Sequence, residues 1–387
     1  MPMPDNKIQE IISEIDTKRA EPDLLTEAAD DAASPYDEGS PERSKLLAVI
    51  RAVIPFKGDR PLELVRKSVF IVSVITAIVC LAVILGDMNT SRDYEKLSEE
   101  IQGQKEYYQL HGEIPLAPEI IEEIREEVPD IMDEYIATYN ENNDTVGWIT
   151  IPGTVIDYPV MQTTDNQYYL ENNFKRQKSS YGAIFATFLE PFTPTSRPNN
   201  TILYGHNIFD GACFAAVAHY YSEGSINFYR KHPIVYFDTI YEKGAYKVFA
   251  AIYAHTSDTK EQDVYPYHLK TTFENKAEFY DFAQNILDRS CFYTDVDLEY
   301  GDEIITLSTC YYPLGNNFDS RVALFARRVR EGESEEVNLD AAYRNPSPLY
   351  FDYYYRVMGG SWAGRNWDTG KVLGLDEYLF SQQAVLP

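Results

Sequence analysis

Residues 68–86, SVFIVSVITAIVCLAVILG, form an apolar run without a single charged side chain. A helix of this length extends about 28 Å, which is close to the thickness of the hydrocarbon core of a bilayer. A helix buried in a soluble domain would show a polar face, and this run shows none. A cleaved signal peptide would be followed by a cleavage site of small residues, and none follows this run. The sequence therefore predicts one transmembrane helix at 68–86.

Basic side chains are concentrated on the N-terminal side of the apolar run, whereas on its C-terminal side they are diluted among acidic residues. By the positive-inside rule, we predict that the N-terminus is cytoplasmic and that the long C-terminal part lies outside the cell. Membrane lipid is thus a predicted partner, and the basic segment before the run either contacts anionic lipid or forms a solvated linker. The basic residues before the run are Arg43, Lys45, Arg51, Lys57, Arg60, Arg66 and Lys67, and those after it are Arg92, Lys96 and Lys105.

Composition divides the rest of the chain into four parts. Residues 1–67 are first acidic and then basic, which predicts a disordered cytoplasmic tail. Residues 87–143 show helical periodicity and predict a stalk or cap, with Pro129 beginning its last helix. Residues 144–330 form a domain of β-type runs. Residues 331–387 form a C-terminal extension rich in aromatic residues, which packs on the β domain, binds a partner or is loosely ordered.

From residue 144 the hydrophobic pattern has a period of two, which is typical of β-strands. A helical pattern returns at residues 274–287. Eight strands in a domain of this size favour a closed barrel, because closure leaves no exposed edge. The predicted fold class is therefore mainly β with flanking helices, an eight-stranded closed barrel preceded by a transmembrane helix and a helical stalk. The eight runs are VGWITI, VIDYPVM, GAIFA, NTILYG, PIVYFDT, AYKVFAAIYA, DEIITLST and RVALFARRV.

Charge and cysteine content exclude several classes of protein. The net charge of −27 argues against nucleic acid as a partner. Four cysteines are too few for a framework of disulfides. We predict that Cys213, in a packed helix, and Cys291, at the end of the last helix, are unpaired and dispensable, and that Cys80 is an apolar filler of the span. No metal-ligand spacing and no glycine-rich phosphate loop occurs, so the sequence predicts no cofactor.

One cysteine and one histidine lie where chemistry is possible. The run TLSTC ends a predicted strand at Cys310, and Arg321 opens the next predicted strand. A cysteine nucleophile needs an accessible position and a basic or cationic partner that favours its thiolate. His206 directly follows a strand in the segment YGHN, whereas we place His111 in the stalk and the other four histidines, His219, His232, His255 and His268, in helical or loop contexts. Each of these residues alone is more often structural, so a non-catalytic surface β domain remains an alternative.

These segments together resemble a known family. TLSTC with the following Arg321 resembles the signature of sortases, the membrane-anchored cysteine transpeptidases of Gram-positive bacteria, and YGHN is similar to their histidine segment. Residues 146–174 and 204–220 are similar to the corresponding segments of class B sortases. The resemblance covers roughly residues 130–330, and the acidic N-terminal segment and the extension after 330 depart from the family pattern.

The resemblance implies a sortase-type eight-stranded barrel and a role for each matching residue. Cys310 would be the nucleophile, His206 the general acid and base, and Arg321 the group that orients the substrate and stabilises the oxyanion. The residues implied to bind the substrate peptide are Asn166, Leu170, Ser308 and Thr309.

The resemblance also implies a reaction and its partners. The thiolate would attack a threonine carbonyl in the sorting motif of a surface protein and form a thioacyl enzyme. An amine of a peptidoglycan precursor or of a pilin would then accept the acyl group. Another extracellular cysteine peptidase or transpeptidase, such as an L,D-transpeptidase, is the remaining enzymatic alternative.

Overall fold

The computed structural model describes residues 41–222, 224–256, 264–315 and 319–383. The chain divides into two compact units, Met1–Asp87 and Met88–Pro387. The helices of its N-terminal half are α1 (Pro41–Val53), α2 (Pro61–His111), α3 (Pro118–Glu127) and α4 (Asp133–Glu141).

The tail predicted over residues 1–67 is described only in part. Residues 1–40 lie outside the described residues. Residues 41–53 form helix α1, where we had predicted disorder. The segment KLLAVIRAV within α1 consists largely of the good helix formers Leu, Ala, Lys and Arg, although the tail as a whole has a polar composition.

Helix α2 is 51 residues long and contains the whole apolar run. Among the described residues it is the one helix long and apolar enough to cross a membrane, with a mean hydropathy of 3.0 and no buried side chains in that window. A helix that exposes such a surface fits a single membrane anchor. The helix continues without a break into the segment predicted as the start of the stalk.

The prediction that Pro129 begins the last stalk helix is wrong. Helix α3 ends at Glu127, and α4 begins only at Asp133. Asp130 between them has a positive φ of 69°, which a continuing right-handed helix cannot accommodate. Pro129 therefore lies in the turn between the two helices.

All eight predicted strands are present and pair in a closed ring, which we call the strand ring. Its order is β1-β2-β3-β4-β8-β9-β6-β5, and a separate two-stranded sheet pairs β10 with β7. The prediction of a mainly β domain with flanking helices is confirmed, whereas the two-stranded sheet was not predicted. The strands are β1 (Thr145–Thr150), β2 (Asp157–Met161), β3 (Ile184–Ala186), β4 (Asn200–Tyr204), β5 (Ile234–Thr239), β6 (Ala245–His255), β7 (Phe292–Tyr293), β8 (Ile304–Cys310), β9 (Ser320–Arg328) and β10 (Tyr343–Arg344).

The remaining helices are short segments between strands, α8, and two helices of the C-terminal extension. Cys213 was predicted in a packed helix, but it precedes α6 and has a positive φ of 55°. Cys291 follows α8 as predicted, but α8 is not the last helix. These helices are α5 (Tyr168–Glu171), α6 (Ala215–Ala218), α7 (Ser225–Lys231), α8 (Lys276–Arg289), α9 (Asp352–Met358) and α10 (Leu375–Gln383).

The strand ring packs in three apolar clusters, one of which joins Trp148, Met161 and Phe185 of β1, β2 and β3 to helices α3, α4 and α5. A second cluster takes side chains from all eight strands, so it fills the inside of the ring; Leu203, Leu307 and Leu324 belong to it. Another cluster lies between the outer face and α8, and it includes Phe282 and Phe325. The alternation of neighbours such as Leu324 and Phe325 between these last two clusters follows from the period of a strand.

The described part of the C-terminal extension packs on the β domain, which was one of the three possibilities. Arg365 donates to both carboxylate oxygens of Asp288 at 2.9 Å, and Trp367 Nε1 donates to the same carboxylate at 2.7 Å. Val372 and Leu375 are buried in the cluster around α8. A charged bidentate pair beside buried apolar side chains fixes this segment against α8.

Candidate active site

The histidine and the cysteine are brought together by two parallel strands. In the pairing of β4 with β8, Tyr204 lies opposite Ser308. Each chain continues for two more residues, to His206 and to Cys310. Because parallel strands that pair in register end at the same edge of the sheet, these two side chains emerge side by side. The side chain of Asn207 strengthens this edge, since its Nδ2 donates to the carbonyl oxygen of Cys310 at 2.9 Å.

The arginine reaches the cysteine across the antiparallel pair of β8 and β9. Cys310 lies directly opposite Arg321 in the register, and Arg321 Nη1 lies 3.6 Å from Cys310 Sγ. All three predicted catalytic residues line one cleft of about 260 Å³. The lining residues are Asn166, Gln167, Leu170, Phe185, Tyr204, Gly205, His206, Thr256, His268, Cys310, Asp319 and Arg321.

The guanidinium of Arg321 is fixed through its other nitrogens. Nε donates to Thr256 Oγ1 at 3.1 Å, and Nη2 pairs with Asp319 Oδ1 at 3.4 Å. Burial opposes the charge of Arg321, but the neighbouring Cys310, Tyr267 and Asp319 outweigh it and raise its pKa. The cleft therefore holds a permanent, oriented positive charge beside the thiol.

A backbone carbonyl orients the imidazole of His206. Its Nε2 lies 2.8 Å from the carbonyl oxygen of Leu170 in α5. A carbonyl oxygen can only accept, so Nε2 carries the hydrogen and Nδ1 is the nitrogen that can take up or release a proton.

This carbonyl depends on a close backbone approach by Gly182. A Cβ at this position would lie 2.4 Å from the carbonyl oxygen of Tyr169 and 3.0 Å from that of Leu170, and its φ is +61°. Only glycine fits both the space and the left-handed backbone.

The four predicted substrate-binding residues divide into two pairs. Asn166 and Leu170 line the cleft, and Asn166 Oδ1 accepts a hydrogen bond from the Phe188 amide at 3.0 Å. Ser308 and Thr309 are fully buried and do not line the cleft. Substrate binding by this second pair stays a prediction, and their burial favours an indirect role.

The structure gives Ser308 and Thr309 a supporting role instead. Ser308 Oγ bonds to the hydroxyl of Tyr267 at 2.8 Å. Thr309 Oγ1 donates to the carbonyl oxygen of Gly205 at 2.8 Å, just before the histidine. The Thr309 hydroxyl thus ties the end of β8 to the residue after β4, whereas the Ser308 hydroxyl ties β8 to the 3₁₀ segment Tyr267–Leu269.

Sequence reasoning missed several residues around the cleft. Thr256 follows the end of β6, the strand that pairs with β9, so a search for side chains at strand ends could have found it. The placement of His255 in a helical or loop context is wrong, because this buried residue ends β6. His268 carried no such signal, because it lies in a short 3₁₀ segment. Burial, together with the positive charge of Arg321, lowers the pKa of His268. A hydrogen bond to Cys310, with burial, raises the pKa of Tyr312 to about 12.

The other described thiols outside the membrane-spanning run are unlike Cys310. Cys213 and Cys291 are buried, and burial raises the pKa of each to about 12. Neither is in a disulfide. Within the described ranges, no group of three or more His, Cys, Asp or Glu side chains could hold a metal ion.

Comparisons with known proteins place these residues in a family. A family model described as the sortase domain matches residues 149–329. Sortase B of Listeria monocytogenes is 35% identical over 188 residues, which cover 49% of this chain and 68% of the relative. Sortase B of Staphylococcus aureus is 29% identical over 251 residues, which cover 65% of this chain and 90% of the relative.

Solved structures of sortase B are similar as well. The structure of sortase B from B. anthracis in complex with AAEK1 has 28% identity and a TM-score of 0.49, and the match covers 63% of this chain and 99% of that one. The Staphylococcus aureus sortase B–substrate complex has 27% identity and a TM-score of 0.49, with 62% and 98% covered. Since the Listeria relative is matched at 35% identity over more than two thirds of its length, the chain belongs to the class B sortases, which are cysteine transpeptidases.

Proposed function

We propose that Cys310, His206 and Arg321 are the catalytic groups of this sortase. The observation that carries the proposal is the 3.6 Å distance between Arg321 Nη1 and Cys310 Sγ, in a cleft that His206 also lines. The sulfur is the nucleophile, and the guanidinium beside it can stabilise the negative charge that develops on the carbonyl oxygen of the substrate.

In the first half-reaction the Cys310 thiolate attacks the threonine carbonyl carbon of a sorting motif. A carbon–sulfur bond forms, and the carbonyl oxygen takes up the negative charge beside the Arg321 guanidinium. The carbon–nitrogen bond then breaks while His206 delivers a proton to the leaving amine through Nδ1. A thioacyl enzyme remains.

In the second half-reaction an amine attacks the thioacyl carbon. His206 takes the proton from the attacking nitrogen, a new amide forms, and Cys310 leaves as the thiolate. Sortases act on surface proteins that carry sorting signals and on cell-wall precursors. For this chain we propose the amine of a peptidoglycan precursor or of a pilin as the acceptor.

We assign the peptide-binding wall of the cleft to Asn166 and Leu170. The bond from the Phe188 amide holds the oxygen end of the Asn166 side chain, which directs its donor end to peptide carbonyl groups. Leu170 supplies an apolar side chain to the cleft and the carbonyl group that orients His206.

We further propose that the strand ring is the sortase-type barrel, that the N-terminus is cytoplasmic, and that the catalytic unit lies outside the cell. The closed order of the eight strands supports the first point. The excess of basic residues before residue 68 supports the orientation.

The test uses the full chain in detergent micelles with a library of peptides that contain a Pro-x-Thr core, and triglycine as the amine. The wild type should cleave a subset of the library and join the acyl part to triglycine. Cys310→Ala should abolish cleavage, and His206→Ala should slow it about 10²–10⁴-fold. Cys80→Ala, in the membrane-spanning run, is the matched control and should be as active as the wild type. Cleavage by Cys310→Ala, or no turnover of any peptide in the library, would overturn the proposal.

A further inference from the structure

The segment that carries His206, residues 205–214, is a closed loop, which we call the histidine loop. The amide of Phe214 donates to the carbonyl oxygen of His206 at 2.8 Å, and Asn207 forms a β-bridge with Cys213. These bonds join the two ends of the histidine loop. His206 lies at the base of the histidine loop, and Asp210 lies at its tip.

Asp210 is the hydrogen-bonding centre of the tip. Its Oδ1 accepts from the Ala212 amide at 3.1 Å, and its Oδ2 accepts from Ser91 Oγ at 2.9 Å and from the Tyr181 hydroxyl. Burial alone would raise the pKa of Asp210, but hydrogen bonds from Tyr181, Ala212 and Ser91 lower it below its ordinary value. The group is a carboxylate with three donors around it.

Two of these donors come from outside the loop. Ser91 lies in α2, the helix that also contains the apolar run, and Tyr181 lies between α5 and β3. A second bond ties the same elements together, because Cys213 Sγ lies 3.3 Å from the Tyr94 hydroxyl of α2. The rings of Tyr94 and Tyr181 stack with centroids 4.5 Å apart.

Tyr181 and Gly182 are neighbours in the chain, and they contact two different groups near His206: Asp210 and the carbonyl group of Leu170. Through its hydroxyl, Tyr181 holds Asp210 at the tip of the histidine loop. The next residue, Gly182, lies against the carbonyl of Leu170, which accepts from His206 Nε2. One short segment thus fixes the loop on one side and the imidazole on the other.

We propose that Asp210 is a positioning residue for His206, acting through the histidine loop and tying it to Ser91 and Tyr181. The inference rests on the proposed role of His206 in proton delivery. Asp210 does not line the catalytic cleft, so it acts on the direction of the imidazole and not on the substrate.

A change of leaving group separates this role from general stabilisation. When the bond of an amide breaks, its nitrogen leaves only after it has been protonated. The sulfur of a thioester instead leaves as a thiolate and needs no proton from the enzyme. A misdirected His206 should therefore slow acylation by the amide and spare acylation by the thioester of the same peptide.

The experiment measures single-turnover acylation of the full chain in micelles, at saturating concentrations of the Pro-x-Thr peptide that the wild type cleaves best. Asp210→Asn keeps the shape but leaves one accepting oxygen in place of two, so Ala212, Ser91 and Tyr181 can no longer all donate to this side chain as they do in the wild type. It should slow acylation by the amide about tenfold or more, since small displacements of a catalytic group are costly, and acylation by the thioester less than about twofold.

Two further variants distinguish a loss of His206 positioning from a general folding defect. Tyr181→Phe removes one hydroxyl and should show the same selective loss, smaller in size. Glu95→Gln removes a carboxylate from the exposed surface of α2 nearby that makes none of the bonds described above, and it should leave both rates unchanged.

Two results would contradict the positioning role of Asp210. Equal losses on amide and thioester for both Asp210→Asn and Tyr181→Phe, or no loss on either substrate, would overturn the positioning role. His206→Ala serves as the reference, with a larger loss on the amide alone. If His206→Ala affects both substrates equally, it is the proposed role of His206 that fails.

Discussion

Each of the three guanidinium nitrogens of Arg321 contacts a different residue. Nη1 faces Cys310, while Nε and Nη2 hold the group against Thr256 and Asp319. A lysine has the charge but only one nitrogen, so it cannot face the sulfur and keep both anchors.

We therefore expect Arg321→Lys to lower kcat/KM by about 10²-fold or more, even though the charge is kept. Steady-state kinetics on the cleaved peptide measures it. Arg344→Lys, on the exposed strand β10, is the matched control and should be near wild type. If Arg321→Lys retained full activity, charge alone would suffice and the orientation of the guanidinium would be irrelevant.

The thiols differ in their surroundings, which predicts their reactivity. Burial raises the pKa values of Cys213 and Cys291 to about 12, so at pH 8 almost none of either is thiolate. In a Cys80→Ala background, a charged sulfonate thiol reagent should label Cys310 in the native protein, and Cys213 and Cys291 only after unfolding. Intact mass before and after unfolding counts the labels. Labelling of either buried cysteine in the native state would contradict the structure.

At the residue scale, sequence reasoning found the side chains that end strands and missed those placed by tertiary contacts. Cys310 and His206 could be predicted because a strand leads directly to each. The carbonyl of Leu170 could not, because its direction depends on the close approach of Gly182. Ser308 and Thr309 flank the nucleophile in sequence, but the strand packs both into the interior.

At the scale of elements, the eight strands of the ring could be predicted because each has a period of two and is bounded by turn residues. Strands β7 and β10 could not, since two residues carry no periodicity. The extension after residue 330 could not be placed from sequence either, because its contacts with α8 are long-range ion pairs and isolated aromatic side chains.

The link between β9 and the extension depends on Glu333. This carboxylate accepts from the fully buried Arg327 at 2.6 and 2.8 Å and from Lys247 at 2.7 Å. Hydrogen bonds from Arg327 first, and then from Lys247, outweigh burial and hold the pKa of Glu333 well below its ordinary value of 4.5. A lowered pKa means that the folded state prefers the charged form, so this stabilisation is present above pH 4.5 and is lost as the pH falls further.

We expect Glu333→Gln to lower the free energy of unfolding by about 3 kcal/mol at pH 7, because it leaves buried Arg327 with a weakened partner set. The difference from the wild type should shrink as the pH falls below 4.5. Denaturant unfolding at several pH values measures both, with the exposed Glu331→Gln as the control. A difference that is independent of pH would show that the carboxylate charge is not the cause.

At the scale of the whole molecule, the asymmetry of basic residues around the apolar run predicts the orientation in the membrane. Protease added to intact protoplasts should digest the strand ring and spare the first 60 residues. Antibodies against tags at the two ends can report the surviving fragment, and lysed protoplasts serve as the control. Protection of the C-terminal part in intact protoplasts would reverse the orientation.

The pairing of β4 with β8 also sets the order in which the site can assemble during folding. Cys310 and Arg321 are 11 residues apart in the chain, whereas Gly205, just after β4, and Thr309 in β8 are 104 residues apart. Contacts between distant residues form later than local ones, because a long loop must first be closed. We therefore expect a newly made chain to form its thiol–guanidinium pair before His206 reaches the site. With the proposed role of His206 in proton delivery, amide cleavage should begin only after the strand ring has closed.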